Sequence, residues 1–595
     1  MTQQQGRFLP LIVAISIIIG ILVGTLSASL FSKGRLNVFH SSSNKLTDLF
    51  YLVNDEYVDS VSIPGLVEKS LPIILQQLDP HSVYISPQEV ESSMQDLEGS
   101  FSGVGVQFTI YHDTVRVVSV VKGGPSESAG IKAGDKIVNV DGKPFVGDSL
   151  TNDLVMKNLK GKKGSTVKLQ ILRNGQDKPL HFSINRGDVP VNSISAAYKL
   201  DDNTGYIRIN TFGKYTFSEF WTAMAKLCDQ HIDNLVLDLR GNPGGYMQPA
   251  IQIANEFLKK DQLIVYTEGR KSPREDFRCN GRGAYQELPL VVLVDETSAS
   301  ASEILSGALQ DNDRATIVGR RTFGKGLVQV PIEFNDGSMV RLTTARYYTP
   351  SGRCVQKPYK PGEDEEYFAD LLMREQHGEF YSADSIHIEG ETYQTLLGRT
   401  VYGGGGIMPD VFTPADTIGI TPYFRDAYIG GYIFQFAYDF TDRHRKELEK
   451  ISEEKELTDF LNRHNIVGDF ATYAEKNGLK RNTAQLMKSA TLFKKHLTGS
   501  IINDVLGEEA TYMFQNHGDA TVQKALQLVR DGRTFPVVEQ KAARLAPAHA
   551  RGVMLPYSVF GHHGAGMANA YAPCPYLLSP YALCPYSRNK RFDIA

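Results

Sequence analysis

The sequence predicts a multidomain α/β protein, and three observations lead to this prediction. A chain of 595 residues has room for roughly three or four domains of ordinary size. Between residues 97 and 187, short β-rich runs alternate with glycine turns. Between residues 190 and 415, apolar strand patterns alternate with helical patterns, which is typical of a mostly parallel sheet covered by helices.

Composition and charge exclude several classes of protein. Hydrophobic residues make up 42% of the chain and charged residues 22%, which excludes a wholly disordered, collagenous or coiled-coil chain. The mean hydropathy of −0.24 excludes a protein with many membrane spans. The net charge is −4, from 63 basic and 67 acidic residues, so we predict no nucleic-acid partner. Five cysteines are too few for a disulfide framework, and none belongs to a C-x-x-C pair.

The N-terminal segment, residues 1–35, is predicted to be a membrane anchor or signal. Leu9–Phe31 contains 23 residues without a charge, and a helix needs about 20 to cross the hydrocarbon core. This run is longer than the roughly 7–15 apolar residues of a cleaved signal peptide. We therefore favour an uncleaved single-pass anchor, although Ser27–Ser29 leaves cleavage open as an alternative. Basic residues flank the run on both sides, so charge does not decide the orientation.

Residues 41–95 are predicted to form a helical region. Leu46, Leu49, Phe50 and Val53 recur with the spacing of one face of an amphipathic helix. Pro80 disfavours helix at the residue before it, so the helical pattern ends in the run Leu-Asp-Pro-His-Ser at residues 78–82.

Residues 97–187 are predicted to form a small β domain. Glycine turns near residues 123 and 142 separate its strands, and a short helix begins at Pro125. The predicted strands are Val104–Ile110, Val115–Val121, Lys136–Val140 and Val167–Arg173.

Residues 190–415 carry the βα alternation, with strands at Gly205–Ile209, Leu235–Leu239 and Leu288–Val294. The helices between and after them are predicted at Phe217–Cys228, Pro249–Leu258 and Ser300–Gln310.

Two further segments follow. Residues 420–538 are predicted to be a helical region, with helices at residues 443–454, 483–496 and 520–530. The predicted role of these helices is oligomerisation or adaptor docking, and the alternative is that they are additional scaffold. Residues 541–595 contain 6 Pro and 11 Ala, a composition that predicts disorder, and the abrupt change also fits a reading-frame artefact. Metal binding by His562 and His563 with the two nearby cysteines is the less favoured interpretation of this tail.

The run Ser298-Ala-Ser-Ala-Ser302 is the first candidate for chemistry. It follows a buried strand and begins a helix, where unpaired backbone N–H groups favour negative charge. This place suits a serine nucleophile whose attack creates an oxyanion. A serine at a helix start is more commonly only an N-cap, so the serines alone do not decide.

Two glycine-rich loops add to this candidate. Lys325 lies between Gly324 and Gly326, and a lysine acts as a general base only if its pKa falls from about 10.4 to roughly 7–8. The run from Leu237 to Gly245 ends a strand in a glycine turn, whose backbone N–H groups suit an oxyanion hole. It is not a G-x-G-x-x-G motif, so we reject a dinucleotide site. Taken singly, each loop also fits an ordinary solvated turn.

Together these motifs resemble the carboxyl-terminal processing peptidases, or tail-specific proteases, which are Ser–Lys serine peptidases with an embedded PDZ domain. The resemblance covers residues 45 to 415, with the motifs in the family's order. It implies a crotonase/ClpP-like βα protease core around the PDZ domain. The motifs that carry it lie at residues 78–82, 103–106, 129–135, 238–245, 298–303, 321–329, 347–353 and 404–410.

The resemblance assigns a role to each matching residue. Ser300 is the nucleophile, Lys325, placed 25 residues later, is the general base, and Gln329 orients the lysine amine. The amides of Ala301 and Gly244 form the oxyanion hole, and no metal or organic cofactor is needed. We interpret Ser298 and Ser302 as structural residues, and Asp311 and Arg240 as structural partners rather than catalysts.

Residues 97–187 correspond to the PDZ domain of this family. PDZ domains bind the C-terminus of a partner chain by strand addition, with loop amides holding its carboxylate. Gly103, Val104, Gly105 and Val106 match that loop and pocket, with Phe108 close by. The alternative is that these glycines only form a turn before a strand.

The sequence thus predicts a membrane-anchored serine endopeptidase with an extracytoplasmic, periplasmic body that cleaves proteins recognised through their free C-termini. Its partners would be such substrates, the membrane, and a second copy of itself or an adaptor. The first alternative is a catalytically inactive, membrane-anchored PDZ scaffold. The second is a crotonase-like acyl-CoA enzyme, and a Ser-His-Asp site using His81 is a third that we disfavour.

Overall fold

The computed structural model describes residues 16–23, 45–111, 113–176, 178–386 and 390–535. The predicted tail at residues 541–595 lies outside these ranges, as does most of the predicted anchor Leu9–Phe31. Among the described residues, no helix combines the length and apolar character that a membrane span requires. The chain divides into two compact units, residues 1–74 and 75–595.

The first unit is helical. Residues 16–23 form helix α1, followed by α2 (Lys45–Glu56) and α3 (Ile63–Gln76), whose last two residues lie beyond the unit. The amphipathic helix predicted around residues 46–53 is confirmed as α2. None of its residues is buried, and Leu46, Leu49 and Leu52 are exposed. The apolar face of α2 is therefore open to solvent.

The second unit begins with strand β1 (Val83–Ile85), helix α4 (Pro87–Glu98) and then the predicted β domain. Strands β2 (Ser100–Gly103) and β9 (Gly187–Pro190) pair where the chain enters and leaves this domain. Its sheet has the order β3-β4-β5-β7-β8, and the short β6 pairs with β5. The elements between are β3 (Val106–Tyr111), β4 (Thr114–Val120), α5 (Pro125–Ala129), β5 (Lys136–Val140), β6 (Lys143–Pro144), α6 (Asn152–Leu159), β7 (Thr166–Leu172) and β8 (Leu180–Asn185).

All four strands predicted in this domain form, with shifts of one or two residues at their ends. Gly130 ends α5 with a left-handed φ of 83°, a conformation that glycine adopts without the steric cost of a Cβ. Within the described residues, β3 pairs only with β4, so it is an edge strand with one open side.

The central sheet confirms the predicted βα alternation. Its order is β10-β11-β12-β15-β16-β21, and all neighbours are parallel except β10 and β11. Its strands are β10 (Ile194–Lys199), β11 (Thr204–Ile209), β12 (Asn234–Asp238), β15 (Leu290–Val294), β16 (Thr316–Gly319) and β21 (Val411–Phe412). A second sheet has the order β1-β18-β13-β14, and β17 also pairs with β18; these strands are β13 (Leu263–Glu268), β14 (Glu275–Arg278), β17 (Leu327–Glu333) and β18 (Met339–Tyr348).

Helices cover both faces of the central sheet. Leu235 and Leu237 of β12 face a core formed with α7 (Thr216–Asp229), α8 (Met247–Phe257) and α9 (Ala301–Asp311). Val236, between those two leucines, faces the opposite side and packs with residues of α19 (Ala520–Arg530). This alternation explains why β12 is apolar throughout, since successive side chains point to opposite faces of a buried strand.

The C-terminal helices serve two different cores. Those from α11 to α17 pack mainly on one another around their own apolar cluster, whereas α19 belongs to the central sheet. Their bounds are α11 (Pro422–Ile429), α12 (Tyr432–Arg443), α13 (Arg445–Leu448), α14 (Glu454–Asn462), α15 (Ile466–Lys476), α16 (Thr483–Lys488), α17 (Ala490–Leu506) and α18 (Glu508–His517). The predicted region 420–538 is thus not one structural body.

Two predicted C-terminal helices are wrong in their extent. The helix predicted at residues 443–454 ends in α13, and α14 begins only at Glu454. The helix predicted at residues 483–496 is divided at Ser489, whose hydroxyl donates to the carbonyl oxygen of Gly419 at 2.6 Å. Ser489 is both the C-cap of α16 and the N-cap of α17, a break that periodicity alone does not reveal.

Between the core and these helices lies a segment with one long helix, α10 (Asp364–Gln376). A 3₁₀ turn (Ala383–Ser385) and a hairpin of β19 (Thr392–Gln394) and β20 (Thr400–Tyr402) follow it. The predicted helical region 41–95 contains most of α4, whereas the sequence interpretation did not identify α10 as a helix.

Candidate active site

The proposed nucleophile lies on a tight turn between a buried strand and a helix. All five residues of β15 are buried, and Asp295 then accepts hydrogen bonds from the backbone N–H groups of Thr297 and Ser298 at 3.0 and 3.1 Å. Ser300 is the N-cap of α9 and has a φ of 54°. A positive φ is costly for a residue with a Cβ, so the surrounding contacts must hold this backbone in place.

Glu303 supplies much of that restraint. Its Oε2 accepts from the N–H of Ser300 at 2.9 Å and from the N–H of Lys325 at 2.8 Å. Its Oε1 accepts from the N–H of Gly324 at 2.8 Å and from the hydroxyl of Thr322. One buried carboxylate thus joins the backbone of the predicted nucleophile to that of the predicted base. Burial raises the pKa of Glu303 to about 7, although these four hydrogen bonds favour its charged form.

Lys325 lies in a buried loop close to Ser300. It is 2% exposed, and the hydroxyl of Tyr347 donates to its carbonyl oxygen at 2.7 Å and to that of Ser300 at 3.2 Å. Gly324 has a φ of 90°, and a Cβ there would stand 3.1 Å from the Cβ of Lys357. The glycine before Lys325 is therefore required by the close packing of this loop.

Gln329, the predicted orienting residue, lies on β17 and is fully buried. Its Nε2 donates to the hydroxyl of Thr343 at 3.1 Å, which donates in turn to Asp79 Oδ1 at 3.0 Å. Asp79 Oδ1 also accepts from the N–H groups of His81 and Ser82, both at 2.9 Å. Gln329 Oε1 is buried without a hydrogen-bond partner among the described residues, so it has capacity to accept one from an amine.

The loop predicted to complete the oxyanion hole packs directly against Ser300. The carbonyl oxygen of Asn242 accepts from the N–H of Ala299 at 3.0 Å and from the hydroxyl of Ser302 at 2.9 Å. A Cβ on Gly244 would stand 2.6 Å from the Cβ of Ser300 and 3.0 Å from the nitrogen of Ala301. The N–H of Gly244 donates to Asn242 Oδ1 at 2.8 Å. Ala301 and Gly244 are therefore neighbours, with the Gly244 amide engaged by Asn242 here.

A buried ion-pair cluster holds the base of this loop. Asp238 pairs with Arg208 at 3.1 Å and with Arg240 at 2.7 Å. Arg240 also pairs with Asp519, the N-cap of α19, at 2.9 Å. Burial opposes the charge on Asp238, but the two guanidinium groups outweigh it and lower the pKa of this carboxyl.

The residues predicted to be structural make structural contacts. The hydroxyl of Ser298 donates to the carbonyl oxygen of Leu239 at 2.8 Å, which joins the nucleophile turn to β12 and its loop. Asp311 pairs with the fully buried Arg353 at 2.7 Å and accepts from the backbone N–H of Ser351 at 3.1 Å. Asp311 and Arg353 therefore tie the end of α9 to the loop after β18.

The sequence interpretation missed Glu303, Asp79 and Tyr367 as residues of this site. Glu303 had a recognisable signal, since Ser300-x-x-Glu303 is the spacing of a helix capping box. No sequence pattern indicated Tyr367, because it lies on α10, far along the chain from His81. The Tyr367 hydroxyl oxygen lies 3.0 Å from His81 Nε2. His81 packs in this way against an aromatic residue, unlike the histidine of a Ser-His-Asp triad.

The predicted peptide-binding loop precedes the open edge of β3. Gly103 ends β2, Gly105 has a φ of 80°, and Val106 begins β3. Val104 is only 2% exposed and belongs to the core of the β domain, so its side chain does not line an open pocket here. The loop and the free strand edge nevertheless lie where strand addition requires them.

No group of three or more His, Cys, Asp or Glu side chains in the described part of the chain is arranged to hold a metal ion. The predicted lack of a metal or cofactor stays a prediction.

Known protein families match three parts of the chain. The family described as Peptidase family S41 matches residues 203–362, and PDZ domain matches residues 102–184. Residues 423–507 match a family of unknown function, DUF8443.

Curated proteins that resemble the chain are proteases. A carboxy-terminal-processing protease of Bartonella bacilliformis is 36% identical over 343 residues, which cover 56% of this chain and 78% of that protein. Carboxy-terminal processing protease CtpB of Bacillus subtilis is 36% identical over 319 residues, which cover 53% of this chain and 65% of that protein, slightly less than two thirds.

Among solved structures, photosystem II D1 C-terminal processing protease matches with 30% identity over 54% of this chain and 92% of its own. Its TM-score is 0.30, which is too low to establish a common overall arrangement.

Proposed function

The chain belongs to the carboxy-terminal processing proteases of peptidase family S41, and on this premise we propose that it cleaves peptide bonds with Ser300 as nucleophile and Lys325 as general base. The observation that carries the proposal is the carboxylate of Glu303, which binds the backbone N–H of both residues. It holds nucleophile and base in one buried frame, as a serine–lysine pair requires. We also infer a crotonase/ClpP-like core, because the resemblance to the carboxyl-terminal processing peptidases implies one.

The reaction begins when neutral Lys325 takes the proton of the Ser300 hydroxyl as its oxygen attacks a substrate carbonyl. As the new C–O bond forms, the carbonyl π electrons move onto the carbonyl oxygen, which becomes an oxyanion. The N–H of Ala301 stabilises this oxyanion, and the N–H of Gly244 joins it once it leaves Asn242. Lys325 then donates its proton to the leaving amine, and the C–N bond breaks. Water hydrolyses the acyl-enzyme ester with the same lysine as base. Gln329 orients the amine through its free Oε1.

Serine and lysine variants of the full chain test this function on a peptide with an apolar C-terminus. Ser300→Ala and Lys325→Met are each expected to lower kcat by about 10⁴-fold or more. Ser306→Ala is the matched control, since Ser306 lies on the same helix and its hydroxyl donates only to the carbonyl oxygen of Ser302. Wild-type activity in both site variants would refute the assignment. A wild-type chain that binds peptide without cleaving it would favour the alternative of an inactive PDZ scaffold.

Substrate selection is proposed to depend on the PDZ domain. The open edge of β3 accepts the C-terminal strand of a substrate, and the loop from Gly103 to Val106 holds its carboxylate. Ser300→Ala protein should therefore bind a peptide with a free carboxylate about tenfold or more tightly than its C-terminal amide. Val106→Asp, which puts a like charge at the loop, should abolish this difference. His181→Asp on the opposite edge strand should preserve it, and equal affinity for acid and amide would exclude this mode.

A membrane anchor and a periplasmic, extracytoplasmic body are also part of the proposal. The run Leu9–Phe31 lacks charge, and the apolar side chains of residues 17–19 and 21–23 are each more than half exposed. The full chain should sediment with membranes and resist carbonate extraction, whereas a chain that starts at residue 41 should stay in the supernatant. Equal partition of the two would disprove the anchor, and N-terminal sequencing of the mature protein decides between anchor and cleaved signal.

Self-association is the proposed role of α2. Its exposed leucines, Leu46, Leu49 and Leu52, leave an apolar stripe that a second copy could bury. Light scattering of the chain from residue 41 should give a dimer or larger assembly, and Leu49→Glu should give a monomer. A monomeric wild-type chain would indicate that this surface binds an adaptor instead.

A further inference from the structure

Helix α10 packs against the segments that carry the proposed nucleophile and base. Ser300 and Lys325 are each 2% exposed, so solvent hardly reaches either residue. An apolar cluster, defined here as the α10 cover, contains Ala299, Phe323 and Tyr367 with Tyr359, Phe368 and Leu371. Ala299 precedes the nucleophile and Phe323 lies two residues before the base. The cover therefore rests on the two segments that carry the chemistry.

Tyr367 is the centre of this cover. Its ring packs edge-on against Phe323, with centroids 5.8 Å apart, and against His81, with centroids 5.3 Å apart. It is 4% exposed, and the neighbouring Phe368 also contacts His81, at 6.2 Å between centroids. Tyr367 thus fills the space between the α10 helix, the Lys325 loop and the turn before β1.

Polar contacts hold the ring in place at both ends. The Tyr367 hydroxyl lies 3.0 Å from His81 Nε2 and accepts from Gln356 Nε2 at 3.3 Å. Gln356 Oε1 accepts from the N–H of Gly326, the residue after Lys325, at 2.8 Å. The Lys357 amine donates to the carbonyl oxygen of Tyr367 and to Asp370, both at 2.9 Å.

The pocket under the cover disfavours positive charge. Burial, with the nearby Lys325 and Lys357, holds the pKa of His81 well below its usual range. Burial likewise lowers the pKa of Lys357 to about 8, despite its ion pair with Asp370. The titratable or charged side chains around the pocket are Asp79 and His81 before β1, Glu303 on α9, Arg321 before the Lys325 loop, Tyr347 on β18, Cys354, Lys357 and Tyr359 after it, and Tyr367, Asp370 and Arg374 on α10.

We propose that Tyr367 is a positioning residue whose ring closes the Lys325 pocket to water, an inference that rests on the proposed Ser–Lys function. A lysine must be neutral to act as a base, and water stabilises its ammonium form. A ring that excludes water from the pocket therefore keeps the amine ready to accept a proton near neutral pH.

The pH dependence of kcat/KM in Tyr367 variants of the full chain tests this role. Tyr367→Ala opens the pocket, so the acidic limb of the profile should move to higher pH by about one unit or more. Tyr367→Phe keeps the ring and should restore the wild-type limb. Met373→Ala is the matched control, since it removes a half-exposed apolar side chain from the same helix. Labelling of Ser300 by a small fluorophosphonate provides a second measurement.

The labelling rate separates water exclusion from loss of folding. At about pH 10.5 the Tyr367→Ala variant should label within about twofold of the wild-type rate, because about half or more of its amine is then neutral even at the ordinary lysine pKa of about 10.4. If this variant does not fold, Tyr367→Leu replaces it with the same expected direction. An acidic limb that stays at the wild-type pH in a folded, active variant would overturn the role of Tyr367 alone. A wild-type chain that neither hydrolyses peptide nor labels at Ser300 would overturn the Ser–Lys function as well.

Discussion

At the scale of single residues, one buried carboxylate organises the backbone of the proposed site. Glu303 accepts four hydrogen bonds, three of them from backbone N–H groups. Its spacing from Ser300 predicts the contact with the N-cap but not those with the loop 322–325, which is distant in sequence. Sequence patterns capture such local contacts and miss the tertiary ones.

Replacing Glu303 by glutamine should impair catalysis more than binding. A carboxamide has one acceptor oxygen, and its NH₂ group would face two N–H or O–H donors. The site would lose two hydrogen bonds and misplace both Ser300 and Lys325, so we expect kcat to fall about 10–100-fold with little change in KM. Steady-state kinetics on a C-terminally free peptide measure this split. A kcat within twofold of wild type would show that the carboxylate does not hold the site.

Glu303 should also leave a signature in the pH dependence of stability. Its pKa of about 7 in the folded chain exceeds the ordinary value of 4.5, so between these two pH values the folded state binds more protons than the unfolded state. The contribution of Glu303 therefore decreases stability as pH rises from about 4.5 to 7. Denaturant titrations across this window should show a shallower decline for Glu303→Gln than for wild type. Parallel curves would contradict a raised pKa.

Gly244 should tolerate no side chain. An alanine there combines an unfavourable φ of 102° with a contact of 2.6 Å to the Cβ of Ser300. We expect Gly244→Ala to lower kcat at least 100-fold, because it displaces the nucleophile and the Ala301 amide. Gly142→Ala is the matched control, with a φ of 81° and open space around the new methyl group. Equal loss of activity in the Gly244→Ala and Gly142→Ala variants would mean that backbone strain alone causes the effect.

At the scale of elements, the C-terminal helices hold the PDZ domain in place. The hydroxyl of Tyr438 on α12 donates to the carbonyl oxygen of Val117 on β4 at 2.8 Å, and Arg116 pairs with Asp439 at 3.2 Å. Nothing in the periodicity of either segment predicts this contact, which joins residues more than 300 positions apart. It gives the helices of the DUF8443 region a structural role as a brace for the β domain.

Removing this brace should loosen β4 without unfolding the core. Tyr438→Ala loses a buried ring and a hydrogen bond, so hydrogen exchange of Thr114–Val120 should accelerate at least tenfold. Tyr428→Ala, a ring of the same helical region that packs on Phe424, serves as the control and should leave β4 protected. Unchanged exchange in the Tyr438 variant would mean that other contacts fix the domain.

At the scale of the whole molecule, the protease core extends beyond the residues that periodicity and family patterns assign to it. The predicted core ended at residue 415, yet α19 covers the second face of the central sheet. The alternation of strands and helices correctly predicted a parallel sheet with helices on its faces. It could not show which later helix completes the second face, since any amphipathic helix is equally suitable by pattern.

Asp519 should couple the last helix to the oxyanion loop. Asp519→Ala removes both the N-cap of α19 and a partner of the buried Arg240, with an expected cost of about 2–4 kcal/mol. Asp519→Asn keeps a capping side chain and loses only the charge, so about half of this stability should return. Chemical denaturation of the two variants measures the difference. If both variants match wild type, the ion pair does not support the loop.

The separation of Arg240 and Asp519 along the chain has a consequence for the order of events during synthesis. The two residues are 279 positions apart, and the ribosome makes Asp519 long after Ser300 and Lys325. A growing polypeptide therefore carries its nucleophile and base well before the acid that secures the loop behind them. An interrupted chain that ends before residue 519 lacks this contact, so we expect its oxyanion loop to be less stable than that of the full chain.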